Sequence, residues 1–257
     1  TYSISGGADA ARFAINASSG ALSFVAAPDY EAPADTGANN VYDVVVMVSD
    51  GSFSDTQAIA VTVTPVSDNA PVIGSNGGGA AAGINVAENS TAVTTVTASD
   101  ADLPAQTLAY SISGGADAAL FSIDSATGVL SFNSAPDFEA PADAGGNNVY
   151  DVTVQVSDGA GGTDTQAIAV TVTNANEAPV ITSNGGGVAA AVSAAENQIA
   201  VTTVTSTDVD GGAAAYSIAG GADAALFTIN ASTGALTFVA APNFEAPTDN
   251  GADNIYD

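Results

Sequence analysis

An internal repeat of about 107 residues is the feature of this sequence that most limits its fold. The tripeptide Tyr-Ser-Ile begins at Tyr2, Tyr110 and Tyr216, which are 108 and 106 residues apart. This period is the size of a whole small domain, whereas solenoid repeats are about 20–45 residues long. The sequence therefore predicts an array of domains: the C-terminal part of one repeat (1–69), a complete repeat (70–177) and the N-terminal part of a third (178–257).

Within the complete repeat, apolar residues alternate with polar ones as they do in half-buried β-strands. The clearest stretch runs from Val149 to Asp158, where Tyr150, Val152, Val154 and Val156 share one face. Ile168, Val170 and Val172 alternate in the same way, and shorter strands are predicted at 84–87, 92–99, 109–113, 121–124 and 129–133. About seven strands with turn signals between them predict an all-β domain, a seven-stranded antiparallel Greek-key sandwich.

One stretch, Gly115 to Phe121, departs from this pattern because it is rich in alanine. Alanine favours a helical turn, and Asp117 precedes that turn. We expect Asp117 to cap it by accepting hydrogen bonds from the backbone N–H groups two or three residues on. Asp9 and Asp223 hold the same position in the other copies.

The charge balance is extreme, since 28 acidic residues face one basic residue, Arg12, with no histidine and no cysteine. Nucleic acid is excluded as a partner because its phosphates need lysine or arginine for neutralisation. The absence of cysteine excludes disulfides and thiolate chemistry. No apolar run reaches the 18 residues of a membrane span. A net charge of −27 also favours counter-ions at clustered carboxylates, the alternative being carboxylates spread over solvated surface.

Two short polar connectors separate the copies, and each follows an alternating valine–threonine run and ends at a proline. They are residues 65–71 and 174–179. Acidic motifs recur around them at fixed positions. These motifs are Ala-Glu-Asn at Glu88 and Glu196, Asp-x-Asp at 100–102 and 208–210, Asp-x-Glu at 29–31 and 137–139 with Asn-x-Glu at 243–245, and Ser-Asp-Gly at Asp50 and Asp158.

The order and spacing of these motifs resemble the cadherin repeat, in the alanine- and glycine-rich form found in large bacterial surface proteins. The resemblance covers essentially the whole chain, and it implies calcium at the joints between domains, bound by residues from both sides. For the first joint it implies Asp29, Glu31, Asp68, Asn69, Asp100, Asp102 and Asp158. For the second it implies Glu88, Asp137, Glu139, Asn174, Asn176, Glu177, Asp208 and Asp210. For a third joint it implies Glu196 and Glu245.

The residue types support the same cation independently of the resemblance. Calcium takes six to eight oxygen ligands from carboxylates, amides and carbonyls, and these are the groups that recur here. Two like charges about 4 Å apart repel by about 4 kcal/mol at an effective dielectric constant of 20, so a joint that gathers several acids needs a cation.

The connectors also differ from the family linker that they resemble. Pro65, Ser67 and Asn174 replace family Asp or Asn residues, which predicts fewer ions per joint than a full family linker holds.

The leading functional hypothesis is a non-enzymatic, calcium-stiffened segment of a long extracellular or bacterial cell-surface adhesin. The alternatives are a module that recognises itself or a glycan, and a subunit of an extracellular filament, since exposed strand edges can pair with another chain. An enzyme is disfavoured. Paired carboxylates can hydrolyse glycosides, but here they recur in every copy, and no histidine or cysteine is present to serve as nucleophile or base.

Overall fold

The computed structural model describes residues 1–257, and strands and short 3-10 turns are its regular elements. Its contacts divide the chain into two units, Thr1–Thr173 and Asn174–Asp257, which are described separately. The division falls at the start of the second connector. None of the helical turns has the length and apolar character that a membrane-spanning helix requires.

The first copy, at the start of unit 1, contains five strands in two sheets. The sheets are ordered β1-β4-β5 and β2-β3. Phe13, Tyr42 and Val44 form the buried core between them. The strands are β1 (Tyr2–Gly6), β2 (Phe13–Ile15), β3 (Leu22–Phe24), β4 (Val41–Ser49) and β5 (Ser54–Thr62).

The middle copy completes unit 1 with nine strands. A four-stranded sheet, β10-β13-β14-β7, faces a three-stranded sheet, β11-β12-β8, and a small pair, β6-β9, closes one end. The strands are β6 (Val72–Ile73), β7 (Ala81–Ala87), β8 (Ala92–Thr95), β9 (Ala98–Ser99), β10 (Ala109–Gly114), β11 (Phe121–Ile123), β12 (Val129–Phe132), β13 (Val149–Ser157) and β14 (Thr163–Thr173).

The predicted alternation determines which side chains form the core of the middle copy. Tyr150, Val152, Val154 and Val156 on β13 are at most 1% exposed, as are Ile168, Val170 and Val172 on β14. Phe132 stacks on Phe121 with ring centroids 4.5 Å apart. The predicted all-β sandwich is confirmed, and its buried faces are the ones that the period of two indicates.

Three details of the middle copy differ from the sequence prediction. The single strand predicted over 92–99 is two strands, because the chain turns at Val96 and passes from the sheet containing β12 to the pair with β6. Val96 is fully buried at this change of sheet. The short strand β6 was not predicted. Finally, β7 pairs in parallel with β14, although the other strand pairs are antiparallel.

Unit 2 contains five short strands in two sheets, β16-β19-β18 and β15-β17. Phe227 and Phe238 stack with centroids 4.8 Å apart, as the equivalent rings do in the other copies. The strands are β15 (Val180–Ile181), β16 (Ala200–Thr203), β17 (Ser206–Thr207), β18 (Phe227–Ile229) and β19 (Ala235–Phe238). The 3-10 turns of the whole chain are Ala10–Arg12, Ala118–Leu120, Ser183–Gly185 and Ala224–Leu226.

The helical turn expected after Asp117 exists, but the expected capping bond does not. The Asp117 side chain makes no bond to the turn that follows it. Instead Oδ1 accepts the N–H of Ala144 at 2.7 Å and Oδ2 accepts the N–H of Asp151 at 2.8 Å. Asp9 and Asp223 bond to the equivalent N–H groups in their own copies. Tertiary donors 27 and 34 residues away therefore replace the local ones.

Replacing Asp117 with alanine should destabilise the middle copy, because two backbone N–H groups lose their acceptor at a site that is 4% exposed. Each unsatisfied donor costs about 1–3 kcal/mol. Chemical denaturation at fixed calcium concentration measures this loss. The control Asp55→Ala removes the same charge at an exposed position and should stay within about 0.5 kcal/mol of the parent. Equal effects of the two variants would contradict an anchoring role for Asp117.

Candidate metal centre at the first joint

The first joint lies within unit 1, where the connector leaves β5 and reaches β6. Two strands of the middle copy end near this connector. Asp100 and Asp102 follow the short strand β9, and Asp158 follows the long strand β13. Because the three acids lie just beyond strand ends, the sandwich fixes their backbone positions.

Two groups of carboxylates meet at this joint. One oxygen each from Asp100, Asp102 and Asp158 lie within 4.8 Å of one another, and one oxygen each from Glu31, Asp68 and Asp102 do the same. Asp102 belongs to both groups. The sequence prediction had named all five of these acids for the first joint.

Asp102 is 2% exposed, and both of its carboxylate oxygens accept hydrogen bonds. Its Oδ1 accepts the side-chain amide of Asn69 at 2.8 Å and the backbone N–H of Asn69 at 3.1 Å. Its Oδ2 accepts the amide of Gln106 at 2.9 Å. The connector is thus held against the middle copy through this carboxylate.

These contacts keep Asp102 ionised. The side-chain amide of Asn69 is the largest influence and lowers the pKa of Asp102 below its ordinary value. Burial acts in the opposite direction, and the backbone N–H groups of Asn69 and Asp68 add to the lowering. The carboxylate therefore carries its negative charge into a group of other acids.

The neighbouring acids leave an oxygen without any donor. Asp100 Oδ1 accepts the N–H of Asp102 at 3.0 Å, whereas Asp100 Oδ2 is buried and has no hydrogen-bond partner. Asp158 is 7% exposed, and its Oδ1 accepts N–H groups of its own hairpin turn, including that of Ala160 at 2.8 Å. The one basic residue of the chain, Arg12, contributes to lowering the pKa of Asp9.

Glu31 and Asp29, two predicted residues from the first copy, accept hydrogen bonds from different parts of the chain. Glu31 Oε1 accepts the N–H of Leu103 at 3.1 Å and so bridges the two copies. Asp29 lies outside both carboxylate groups, and its Oδ1 accepts the N–H groups of Glu31 and Ala32 at 3.0 Å. Its part in ion binding stays a prediction.

Unit 2 contains the same arrangement around its own Asp-x-Asp motif. Asp210 accepts the side-chain amide of Asn174 at 2.9 Å and the N–H of Glu177. The Glu177 N–H is the largest influence lowering the pKa of Asp210. Asp208 accepts the N–H of Asp210 at 3.2 Å, and the Asn176 amide bonds to the Glu177 carbonyl at 2.7 Å.

Glu88 and Glu196 each anchor the loop that contains the Asp-x-Glu or Asn-x-Glu motif of their own unit. In unit 1, Glu88 is 3% exposed and accepts the N–H of Phe138 at 2.7 Å, and Asp137 accepts that of Ala140. Glu139 is exposed. In unit 2, Glu196 accepts the N–H of Phe244 at 3.0 Å, and the N–H of Glu245 donates to Asn243.

Sequence reasoning missed two residues of the first joint. The Gln106 amide donates to both Asp102 and the hydroxyl of Ser67, which places it between connector and repeat. Gly162 lies against Asp158, and a Cβ there would come within 2.3 Å of Asp158 Oδ2. Neither residue has an equivalent in all copies, so the internal repeat gave no signal for them.

Comparison with known proteins agrees with this geometry. Residues 83–173 match the family model of the Cadherin domain. That range runs from β7 to the end of β14 and contains the Asp-x-Asp motif and Asp158. The fold of the array is that of cadherin repeats, since solved cadherin structures match 95% of the chain.

Three similar proteins illustrate the extent of the likeness. Human Protocadherin Fat 1 is 32% identical over 163 residues, which is 62% of this chain and 3% of Fat 1. Mouse Protocadherin-24 domains EC1-3 match with a TM-score of 0.57 at 21% identity, covering 95% of this chain and 78% of that one. Protocadherin Gamma B2 extracellular cadherin domains 3-6 match with a TM-score of 0.52 at 23% identity, covering 95% and 59%. The chain therefore spans only a small part of Fat 1.

Removing the Asn69 amide should raise the pKa of Asp102. The variant Asn69→Ala retains the backbone N–H donors but loses the largest lowering influence. Because the folded pKa of Asp102 is depressed, its contribution to stability is present above its unfolded pKa and is lost as pH falls through the folded pKa. The variant should lose this contribution at a higher pH than the parent.

Carboxyl-carbon NMR titration without calcium measures this change. Asp124 is the internal control, since the Thr127 backbone N–H is the largest influence lowering its pKa and is untouched by the substitution. An unchanged Asp102 titration in the variant would show that Asn69 does not hold this carboxylate in solution.

Proposed function

We propose that this chain is a segment of cadherin repeats from an extracellular adhesion protein, in which calcium stiffens the joints between repeats. The family match of the middle copy and the cadherin fold of the array support the adhesive, extracellular role. The resemblance to the alanine- and glycine-rich repeats of large bacterial surface proteins implies a bacterial cell surface, whereas the relatives named above with a source are human and mouse proteins.

The observation that carries the proposal is the pair of carboxylate groups that share Asp102. Two oxygens bound to one calcium at 2.3–2.6 Å lie at most about 5 Å apart. The oxygens in each group are within 4.8 Å of one another, which is a separation that ligands of a single ion can have. The buried, unpartnered Oδ2 of Asp100 is a further oxygen with a vacant coordination position.

The donor set selects the kind of cation. The joint offers oxygen ligands from carboxylate, amide, carbonyl and hydroxyl groups, the chain has no histidine or cysteine, and hard cations such as calcium prefer oxygen. Asp100, Asp102 and Asp158 would hold one ion, and Glu31, Asp68 and Asp102 a second, with Asn69 orienting the shared carboxylate. Two ions agree with the reduced number expected from the substitutions in the connector.

Calcium at this joint would couple the first copy to the middle copy. Glu31 and Asp68 come from the first copy and its connector, whereas Asp100 and Asp158 come from the middle one. Without a cation these acids repel one another, and the connector has no strand to brace it. Binding would convert repulsion into attraction across the joint, which is how a flexible connector becomes a rigid one.

The proposal extends to the second and third joints by the equivalence of the copies. Asp208 and Asp210 with Asn174, Asn176 and Glu177 would form one side of the second joint, and Glu88, Asp137 and Glu139 the other. Glu196 and Glu245 would serve a third. In all of them we expect the acids to bind an ion and not to catalyse a reaction, since the same motifs recur in every copy and the chain has no histidine or cysteine.

Calcium binding should depend on Asp102 more than on any acid outside the joint. The variant Asp102→Asn removes the carboxylate that both groups share, and we expect affinity to fall on the order of 10–100-fold or more, the loss known for weaker outer contacts of metal sites. Isothermal titration calorimetry of calcium into the chelator-treated chain measures it.

Asp124→Asn is the matched control, since it removes the same charge from a turn aspartate that lies outside both groups. We expect its calcium affinity to stay within a factor of two or so of the parent, as for a charge remote from the ion. Equal losses in the two variants would mean that calcium only screens net charge, and the proposed site would be wrong.

A further inference from the structure

The turn between β13 and β14 surrounds the Asp158 carboxylate with backbone donors. Asp158 Oδ1 accepts the N–H group of Ala160 at 2.8 Å and those of Gly161 and Gly162 at 3.0 Å. Its Oδ2 accepts the N–H of Gly162 at 3.0 Å. The turn therefore fixes the orientation of a side chain that belongs to one of the two carboxylate groups of the joint.

Gly162 packs against both this carboxylate and the connector. A Cβ on Gly162 would overlap Asp158 Oδ2 and would lie 3.0 Å from Ala70 Cα, which is inside van der Waals contact. Gly159 and Gly161 of the same turn have positive φ angles, whereas Gly162 does not. Other residues can adopt the backbone conformation of Gly162, so the close approach, and not the φ angle, is what requires glycine here.

The first copy shows that the hairpin itself closes with a side chain at this position. Phe53 is the equivalent residue, since Asp50 N donates to Phe53 O at 3.2 Å, as Asp158 N donates to Gly162 O at 3.3 Å. There Asp50 Oδ1 accepts the N–H groups of Ser52 and Phe53, each at 2.8 Å. The requirement for glycine in the middle copy therefore comes from the joint.

The two neighbours of Gly162 lead to both carboxylate groups. Asp158 belongs to one group, and Ala70 lies two residues after Asp68, which belongs to the other. The contact at Gly162 thus sets how closely the hairpin approaches the connector. It influences the placement of one acid in each group.

We propose that Gly162 is a positioning residue of the ion site, because its lack of a side chain lets Asp158 join Asp100 and Asp102 while the hairpin lies on the connector. This inference rests on the proposed calcium function. With a Cβ at residue 162, the Asp158 carboxylate would move, since the end of a side chain shifts more easily than backbone. It would then lose the N–H bonds that orient it, and the group would retain two fixed acids.

Calcium titration of the chelator-treated chain, followed by calorimetry, tests the effect on the site. Gly162→Ala should bind calcium about 10-fold more weakly than the parent, a loss typical of residues that orient metal ligands. Gly83→Ala is the matched control, since a Cβ there meets no atom within 4 Å and its φ is not positive. The control should bind as the parent does. Equal affinities of Gly162→Ala and the parent would overturn the proposal and leave the calcium function intact.

A double-mutant cycle without calcium tests whether Gly162 acts through Asp158. Gly162→Ala should lower the denaturant midpoint of the middle copy, measured by the NMR signals of β13. In an Asp158→Ala background it should lower the midpoint less, because the oxygen that the new Cβ meets is gone and residues in contact are not additive. Equal lowering in both backgrounds would contradict a role through Asp158.

The two measurements also separate this inference from the proposed function. A parent that binds no calcium would refute the function and, with it, an ion site for Gly162 to position. Coupling of Gly162 to Asp158 in the calcium-free cycle would then show that the ion, and not the geometry of the turn, was wrongly assigned.

Discussion

The mutual repulsion of the carboxylates clustered at the first joint is the constraint on which the rest of the structure depends. Asp102 is almost fully buried, stays ionised because Asn69 donates to it, and lies in two groups of acids at once. The chain has no lysine, and its one arginine, Arg12, is not among the groups that lower the pKa of Asp102. A sandwich fold of this kind can tolerate such a cluster when a cation is part of the joint.

The acids of this chain divide into two physical kinds, and the grouping of their carboxylates distinguishes them. Asp117 and its equivalents use both carboxylate oxygens to accept backbone N–H groups within one copy, so they fix loops and have no vacant oxygen. Asp143 is similar. Burial raises the pKa of Asp143, but the N–H groups of Asn147, Asn148 and Gly145 together outweigh this effect, so that the pKa lies below its ordinary value. Asp100, by contrast, has a buried oxygen with no donor. Asp102 and Asp158 also accept hydrogen bonds on both oxygens, so it is their grouping with other carboxylates that makes them suitable for an ion.

Much of the fold and part of the site could be predicted from the sequence. The period of two located the buried faces of β13 and β14, because burial of one sheet face requires it. The change of sheet at Val96 and the parallel pairing of β7 could not be predicted, since both depend on contacts between distant strands. The roles of Asp117 and Gln106 were missed for the same reason, because their partners are brought near only by the fold. The resemblance named the five acids that lie together at the joint, because its motifs recur here in a fixed order, and their part in ion binding stays a prediction.

Small-angle X-ray scattering of the parent chain with calcium and with a chelator tests the central claim most directly. The account predicts a longer maximum dimension and a narrower distribution of distances with calcium, because the ions draw the two sides of each joint together and fix their direction. Identical scattering curves in both conditions, at a concentration where the chain is monomeric, would contradict it. The joint acids would then be solvated surface, and the stiffness of the array would have another cause.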